Sequence, residues 1–406
     1  MNGPLRLAAS LAFAAALAAC SSGSTPTLPS AGGQTADTTH RVWQMDATHT
    51  AHAACGGPRG GGLFQCDALV YDKSVGGVSP NIGGLSATAL ETAYNLPSSS
   101  KGSGQIVAVV DAYDNPNVAS DLATYRTQWG LGTANFTKYN QTGQQSNYPK
   151  GNTSWGVEID LDVEMVSASC PNCTIYLIEA DNNNGSNLYA AEQEAVSLGA
   201  TIVTNSWGGG AGQGSGNAFN TPGIAYLASA GDSGYGMQDP ADYDTVVSVG
   251  GTVLHAAGSK YTETVWPSTG GGCSVVTKPS WQHDPSCSKR TGNDIAAVAA
   301  GVAEYDTYGA SGWITIGGTS VSSPLMAGVI GLAGNASKIN GGETFWKLKA
   351  KAHKKDFNTK ITGTMSKCPT QYTGTYICTA GLTGSKAYQT YSGPTGWGSP
   401  NGIAGF

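Results

Sequence analysis

The sequence has little charge: Asp, Glu, Lys and Arg together make up 12% of its 406 residues. It has no cluster of basic residues, and its net charge is −6, which argues against a nucleic-acid-binding protein. Glycine, by contrast, is abundant, with 58 residues. This composition predicts a loop-rich globular protein rather than a helical bundle or a disordered chain.

The N-terminal region lacks an apolar run long enough to span a membrane. Arg6 precedes an apolar stretch from Leu7 to Leu17, which is too short for a bilayer. The stretch leads into Cys20 through the sequence LAAC, which resembles the bacterial lipobox, where the cysteine is lipidated. We expect residues 1–20 to be a signal peptide of the lipoprotein type, with an ordinary secretory signal as the alternative.

The regions that follow set the expected domain organisation. Residues 21–40 are rich in Ser, Gly, Thr and Pro, which predicts a flexible tether. Residues 41–89 are Gly-rich, and their pattern identifies no fold. We therefore expect a tether and short N-terminal segment over 21–85 and one domain over 86–406. The protein would be exported, either anchored in the cell envelope through Cys20 or secreted.

The number of cysteines agrees with export, because eight of the nine remain once Cys20 is set aside. Cys170 and Cys173 form a Cys-x-x-Cys motif, which also occurs in redox and zinc sites. No second such motif and no nearby histidine supports zinc, so a structural disulfide is favoured. Local disulfides are the simplest prediction for all four close pairs. The pairs are Cys55/Cys66, Cys170/Cys173, Cys273/Cys287 and Cys368/Cys378.

Strand and helix patterns alternate after residue 86, which predicts an α/β protein with a mostly parallel sheet. Ligands of such sheets bind at the carboxyl ends of the strands. The residues of interest follow three predicted strands: Asp111, Ser206 to Gly208, and Gly231 to Gly234. The predicted strands are 104–111, 174–178, 201–205, 224–229 and 245–249, and the predicted helices are 87–94, 118–129 and 188–198.

A Gly-rich turn carries the candidate nucleophile. Gly317 and Gly318 allow a tight turn, Ser320 follows, and Pro324 suits the first turn of a helix. An apolar run then predicts a buried helix. This is one way to present a reactive hydroxyl, although many Gly-x-Ser turns only begin a helix.

Four acidic residues and no basic residue lie between Trp155 and Glu164. Their alternation with apolar residues predicts a strand, in which Glu158 and Asp162 would be about 13 Å apart. In a helix they would be neighbours at roughly 6 Å and could share a proton. A solvated acidic edge is the alternative without function.

Six segments occur in an order that resembles the sedolisin family, the serine-carboxyl peptidases. The resemblance covers about 86–406 and implies a subtilisin-like single domain, with a mostly parallel central sheet flanked by helices. Its most specific part is the combination of the Ser motif with Glu158-x-x-x-Asp162. The segments are Val109 to Asp114, Glu158 to Asp162, Ser206 to Gly208, Ser229 to Gly234, Val249 to Thr252 and Gly318 to Pro324.

The resemblance implies a role for each matched residue. Ser320 would be the nucleophile and Glu158 its general base, on a helix, with Asp162 holding Glu158 in place. Asp232 would supply the oxyanion hole, and it must be protonated to donate there. Ser206, Trp207 and Gly208 would form a substrate wall, whose backbone pairs with an extended peptide. These roles imply hydrolysis of peptides or proteins at acidic pH.

A Ser-His-Asp peptidase is the nearest rival with the same fold. It would need a His-Gly pair, and none of the six histidines is followed by glycine. We therefore interpret Asp111, which ends the first strand, as a structural carboxylate.

Two features of the sequence differ from the sedolisin pattern. Residues 21–85 are too few for the large prodomain that many sedolisins carry. The family also binds calcium near its C-terminus, but Lys360 and Ser392 stand where two carboxylates are expected. We expect no metal, with the Lys360 ammonium standing in for the ion, unless Asp356 supplies a ligand.

Two other functions stay open: a catalytically silent, peptide-binding lipoprotein, and a structural lipoprotein with an incidental Gly-Thr-Ser turn. All four catalytic positions hold the implied residue types, which favours an enzyme, and we expect it to be monomeric.

Overall fold

The computed structural model describes residues 43–44, 49–56, 61–72, 82–212, 214, 216–348, 350–382 and 390–406. The predicted signal peptide 1–20, the lipidation site Cys20 and the tether 21–40 lie outside these residues. No helix among the described residues has the length and hydropathy needed to cross a bilayer.

The described strands form one large sheet and several small ones. In chain order they are β1 (Trp43–Gln44), β2 (Thr50–Ala53), β3 (Gln65–Cys66), β4 (Leu69–Tyr71), β5 (Ile106–Ala112), β6 (Asn135–Asn140), β7 (Thr174–Ala180), β8 (Ile202–Asn205), β9 (Trp207–Gly210), β10 (Ala225–Ser229), β11 (Gln238–Asp239), β12 (Val246–Ala257), β13 (Lys260–Val265), β14 (Gly272–Thr277), β15 (Lys289–Gly292), β16 (Ile295–Val298), β17 (Val302–Asp306), β18 (Gly312–Gly317), β19 (Phe357–Asn358), β20 (Gly363–Thr364), β21 (Thr379–Ala380) and β22 (Ser399–Pro400).

The described helices include two long ones, α3 and α5, that carry most of the site. In chain order the helices are α1 (Ala87–Tyr94), α2 (Val118–Trp129), α3 (Thr153–Ser169), α4 (Gly185–Ser197), α5 (Thr319–Ala333), α6 (Glu343–Trp346) and α7 (Ala350–Asp356).

The large sheet has the order β13-β12-β10-β8-β5-β7-β6, with β16 beside β12. Its neighbouring strands are parallel except for the hairpin of β12 and β13. The inner strands β5, β8 and β10 are almost wholly buried, which agrees with their largely apolar sequences. The predicted α/β fold with a mostly parallel central sheet flanked by helices is confirmed.

The predicted strands and helices match observed ones to within a few residues, except that β12 continues to Ala257, well beyond the predicted end at residue 249. The helix predicted at 118–129 has the observed bounds of α2. The acidic segment was assigned the wrong type of element. Its alternation predicted a strand, but residues Thr153–Ser169 form α3, as the family resemblance implied. The prediction from alternation failed because the acidic residues of this helix are buried as well as the apolar ones. Polarity therefore does not mark an exposed face of α3.

The N-terminal segment, for which the sequence identified no fold, joins the domain through short strands. β2 and β4 pair with each other, and β4 also pairs with β18, which leads into the Ser320 turn. β3 pairs with β9. The described residues 50–56 and 61–71 are therefore built into the domain around the site.

All four predicted local disulfides are present: Cys55–Cys66, Cys170–Cys173, Cys273–Cys287 and Cys368–Cys378. The Cys-x-x-Cys motif is thus a disulfide, closed between the end of α3 and the start of β7.

Helices α3 and α5 pack closely, and a glycine makes this contact possible. A Cβ atom added at Gly328 of α5 would lie 1.9 Å from Ser169 Oγ and 3.1 Å from Val166 O of α3. A side chain here would therefore push the two site-bearing helices apart.

We expect Gly328→Ala to destabilise the protein by about 1–3 kcal/mol, the usual cost of overpacking a core. The measurement is the free energy of unfolding. Adding Ser169→Ala should recover part of the loss, because it removes the closest atom. Gly216→Ala is the control, because its nearest neighbour would be 3.5 Å away. Equal stability of Gly328→Ala and Gly216→Ala would contradict the close contact.

Candidate active site

Ser320 lies in the first turn of α5 and is fully buried. Its Oγ donates a hydrogen bond to the Ser206 carbonyl oxygen at 3.1 Å. The preceding Gly318 has φ 105°, a conformation that strongly favours glycine. The Gly-rich turn therefore aims the hydroxyl at the carboxyl end of β8, as a nucleophile would require.

Glu158 and Asp162 lie one turn apart on α3, so they are neighbours rather than 13 Å apart. The helix begins where the Asn152 side chain accepts hydrogen bonds from the backbone N–H groups of Ser154 and Trp155. Both carboxyls are fully buried, which is inconsistent with a solvated acidic edge.

The other two acids of the same segment point to different partners. Asp160 accepts a hydrogen bond from Asn115 Nδ2 at 2.7 Å, and Glu164 accepts one from the Tyr305 backbone N–H at 3.1 Å. The four acids therefore separate into two pairs, and one pair, Glu158 and Asp162, lies near Ser320.

Burial raises the pKa of Glu158 well above its usual value, and the nearby charges of Asp162 and Asp111 raise it further. The neighbouring Ser320 hydroxyl acts in the opposite direction, although its proton is directed to the Ser206 carbonyl. Neither carboxyl oxygen of Glu158 has a hydrogen-bond partner among the described residues. A carboxyl in this setting holds its proton strongly and, once ionised, is a stronger base than an exposed glutamate.

Asp111 is closer to this chemistry than the sequence indicated. It is buried near the end of β5, and burial raises its pKa to about 8. Its charge is also the second cause, after burial, of the raised pKa of Asp162. The charge of Asp111 thus disfavours ionisation of both Glu158 and Asp162, and all three carboxyls are buried.

Asp232 lies beside the Ser320 turn. Its Oδ1 accepts hydrogen bonds from the backbone N–H and the hydroxyl of Thr319, both at 2.8 Å. A Cβ atom added at Gly318 would lie 2.7 Å from Asp232 Oδ2. Thr319 therefore orients the carboxyl so that its second oxygen faces the turn, where an oxyanion would form.

Ser206, Trp207 and Gly208 lie where β8 passes into β9. Trp207 is buried, donates from Nε1 to the Val110 carbonyl at 2.8 Å and packs against Phe64. Its side chain therefore anchors the strand, and the backbone of β9 is left to pair with an extended segment. In this structure that segment is the chain's own β3.

Three further residues at the site were not predicted: Asp67, Ser229 and Gln238. The Asp67 carboxylate accepts hydrogen bonds from Ser229 Oγ at 2.7 Å and from Gln238 Nε2. Ser229 was part of a matched segment but was given no role. Asp67 lies in a Gly-rich stretch without periodicity, so no local signal could have linked it to Ser320.

The described histidines lie away from the site, as the absence of a His-Gly pair predicted. His49 lies against Tyr71, His52 pairs with Asp72, His255 hydrogen-bonds Thr264, His283 is exposed and His353 bonds the Phe345 carbonyl.

The residues at the expected calcium position offer few ligands. Lys360 is exposed. Ser392 is buried and its hydroxyl is hydrogen-bonded to that of Thr395 at 2.8 Å. The nearby Asp356 has a carboxyl oxygen 3.6 Å from Lys355 Nζ. An ammonium and a hydroxyl do not fit calcium, which binds oxygen ligands that include carboxylates.

The site thus brings together a serine, two coupled carboxyls and a third carboxyl held by Thr319. Such a set can activate a hydroxyl, accept its proton and hydrogen-bond a developing oxyanion.

The family model described as the subtilase family matches residues 102–360. Among curated proteins, xanthomonalisin from Xanthomonas sp. (strain T-22) is 36% identical over 115 residues, which cover 23% of this chain and 14% of that protein. Subtilisin DY from Bacillus licheniformis is 27% identical over 176 residues, covering 40% of this chain and 54% of that protein. The matches therefore span less than two thirds of these two relatives.

Among solved structures, Pseudomonas sedolisin, described as a serine-carboxyl proteinase complexed with pseudo-iodotyrostatin, superimposes with a TM-score of 0.66. It is 24% identical in sequence, and the alignment covers 79% of this chain and 96% of that one. At this identity the match shows a shared fold.

Because buried carboxyls hold protons more strongly in the folded protein, we expect stability to fall as pH rises. Burial raises the pKa of Asp111 and of Glu192 in α4 to about 8, whereas both titrate near 4 when unfolded. The stabilisation that these two protonated carboxyls give the folded protein is complete below about pH 4 and is lost as pH rises to about 8. We expect the melting temperature to fall by at least about 5 °C across this range.

Glu192→Gln should reduce this loss, because it removes one of the titrating groups. The new amide can still bond Asn205, whose Oδ1 has no partner among the described residues. Glu194→Gln, on the same helix but partly exposed, is the control. A melting temperature that rises from pH 4 to pH 8 would show that these carboxyls are not held protonated.

Proposed function

The chain belongs to the subtilase family, and from that premise we propose that it is an exported serine-carboxyl peptidase, active at acidic pH. The observation that carries the proposal is the arrangement of Ser320, Glu158 and Asp162 on two helices in contact, with no described histidine near them. Four disulfides support export, because such bonds form in oxidising compartments.

In the proposed reaction, Ser320 Oγ attacks the carbonyl carbon of a peptide bond while Glu158 accepts its proton. Asp162 hydrogen-bonds Glu158, so that one proton is shared between the two carboxyls. Protonated Asp232 and the Ser320 backbone N–H donate to the oxyanion. Glu158 then returns the proton to the leaving amine, and water hydrolyses the acyl-enzyme.

Acidic pH suits this chemistry because two of the groups must carry protons. Asp232 donates only when protonated, and the Glu158–Asp162 pair needs one proton to avoid two adjacent buried charges. We expect activity to fall as pH rises and these protons are lost. The backbone of Ser206 to Gly208 would hold the substrate as an added strand.

We also propose that the protein needs no calcium, since an ammonium and a hydroxyl occupy the expected ligand positions. Treatment with EDTA followed by dialysis should leave the melting temperature unchanged within about 1 °C, and metal analysis should find no stoichiometric calcium. One calcium ion per chain that survives dialysis would overturn this proposal, and Asp356→Asn would then test that carboxylate as a ligand.

The function is tested by measuring hydrolysis of a denatured protein from pH 2 to pH 8. We expect activity at acidic pH that Ser320→Ala and Glu158→Gln each lower by at least ~10³-fold. Glu164→Gln is the matched control, because it replaces a buried carboxyl of the same helix that contacts the Tyr305 backbone. Its activity should stay within about threefold of the unmodified chain.

Other outcomes distinguish the rival functions. Activity that rises through neutral pH and survives Glu158→Gln would mean that another base is used. A folded protein that shows no hydrolysis at any pH, and that a peptide aldehyde does not trap at Ser320, would instead be a silent peptide-binding relative.

A further inference from the structure

Residues 64–71 fill the groove that the proposed function assigns to substrate. β3 runs antiparallel to β9, with Gln65 opposite Gly208 and Cys66 opposite Trp207. The next residue, Asp67, donates its backbone N–H to the Ser206 carbonyl at 3.1 Å. Every position of the predicted substrate wall is therefore paired with the chain's own N-terminal segment.

The carbonyl group of Asp67 lies at the nucleophile. Its oxygen accepts a hydrogen bond from the Ser320 backbone N–H at 3.4 Å. A Cβ atom added at Gly318 would be 1.9 Å from this oxygen and 2.7 Å from Asp232 Oδ2, so the two oxygens are close neighbours. The Asp67 carbonyl thus lies between the two groups expected to stabilise an oxyanion.

The chain is also held beyond Asp67. After Ala68, β4 pairs with β18, with Leu69 opposite Gly317 and Val70 opposite Ile316. The peptide bond between Asp67 and Ala68 is therefore fixed from both sides across the Ser320 turn, as the reacting bond of a substrate must be.

The Asp67 side chain fills a pocket with donors. Ser229 Oγ and Gln238 Nε2 both donate to its Oδ2, and the side chain is buried. Two glycines leave the space that the Gln238 side chain occupies: a Cβ atom added at Gly208 would lie 2.0 Å from Gln238, and one added at Gly231 would lie 2.9 Å from it. Donors at the base of the pocket favour a side chain with an acceptor oxygen.

The segment also closes the site to outside molecules. Ser320 and Glu158 have no exposed surface. The sulfur atoms of Cys55 and Cys66 and a carboxyl oxygen of Glu158 lie within 4.8 Å of one another. The Cys55–Cys66 disulfide therefore covers Glu158, the proposed general base. An added peptide cannot reach the nucleophile until this segment leaves.

We propose that residues 65–70 are the chain's own first substrate, that Ser320 cleaves the bond between Asp67 and Ala68, and that the pocket of Ser229 and Gln238 selects an acidic or amide side chain before the cleaved bond. The inference rests on the proposed peptidase function. It adds a processing site, an inhibitory segment and a specificity pocket.

The cleavage needs no reagent other than water. Ser320 Oγ bonds to the Asp67 carbonyl carbon, the bond to the Ala68 nitrogen breaks, and Glu158 passes the serine proton to that nitrogen. Water then hydrolyses the ester, which frees the main-chain carboxylate of Asp67 and restores the Ser320 hydroxyl. Both Cys55 and Cys66 precede the cut, so their disulfide does not link the released segment to the domain.

The cleavage is tested on the full chain, purified and moved to acidic pH. We expect intact mass and N-terminal sequencing to show a new terminus at Ala68, formed at a rate that does not depend on protein concentration. Ser320→Ala should remain uncut. Asp72→Asn changes an exposed acid just beyond this segment; it is the matched control and should be cut at the normal rate.

The pocket is tested by changing the residue that it holds. Asp67→Asn keeps an acceptor oxygen and should be cut at a rate within about threefold of the original. Asp67→Leu buries the donors of Ser229 and Gln238 without a partner and should be cut at least ~10-fold more slowly. Equal rates for Asp67→Leu and the unmodified chain would overturn the proposed selectivity.

The outcomes separate this inference from the function on which it rests. Ser320-dependent hydrolysis of an added protein by a chain whose Asp67–Ala68 bond stays intact would overturn the self-cleavage and leave the peptidase function standing. A new terminus elsewhere, such as at Ser86, would also overturn it. A chain that neither cuts itself nor hydrolyses an added protein would overturn both proposals.

Discussion

The contact between α3 and α5 is the constraint on which the site depends. Gly328 lets the two helices approach, and Ser320 on one helix then lies beside Glu158 and Asp162 on the other. The same contact removes both carboxyls from water, and this burial is the largest cause of their raised pKa values. The position and the raised pKa of Glu158 therefore have one origin. A substitution that separates the two helices would displace Glu158 and also expose it to water.

Buried acids recur across the domain, although charged residues are few. Arg290 pairs with Asp294 at 2.7 Å and Lys138 lies 3.5 Å from Glu179, but Glu158, Asp162 and Asp111 have no ion-pair partner among the described residues. A group of carboxyls without cations is stable mainly when protons replace the cations. An acidic environment would thus suit the folding of this chain and its chemistry alike.

Local patterns predicted what depends on local sequence. Continuous apolar runs identified β5, β7, β8 and β10, and the tight turn identified the start of α5. Periodicity failed in α3, where acids replace the polar face of an ordinary helix, and only the family resemblance placed Glu158 and Asp162 together. Asp67 could not be found in this way, because its contacts with Ser229, Gln238 and Ser320 join residues that are between 162 and 253 positions apart.

The Cys170–Cys173 disulfide has a consequence for how the protein can be made. A Cβ atom added at Gly102 would lie 2.2 Å from Cys170 Sγ, and one added at Gly331 of α5 would lie 2.6 Å from Cys173 Sγ. The space is thus just sufficient for two bonded sulfur atoms, and two separate thiols would need more. In a bacterial cytosol, which keeps the two cysteines reduced, the separate thiols would push against α5, the helix that carries Ser320. Recombinant production therefore belongs in the periplasm or another oxidising compartment.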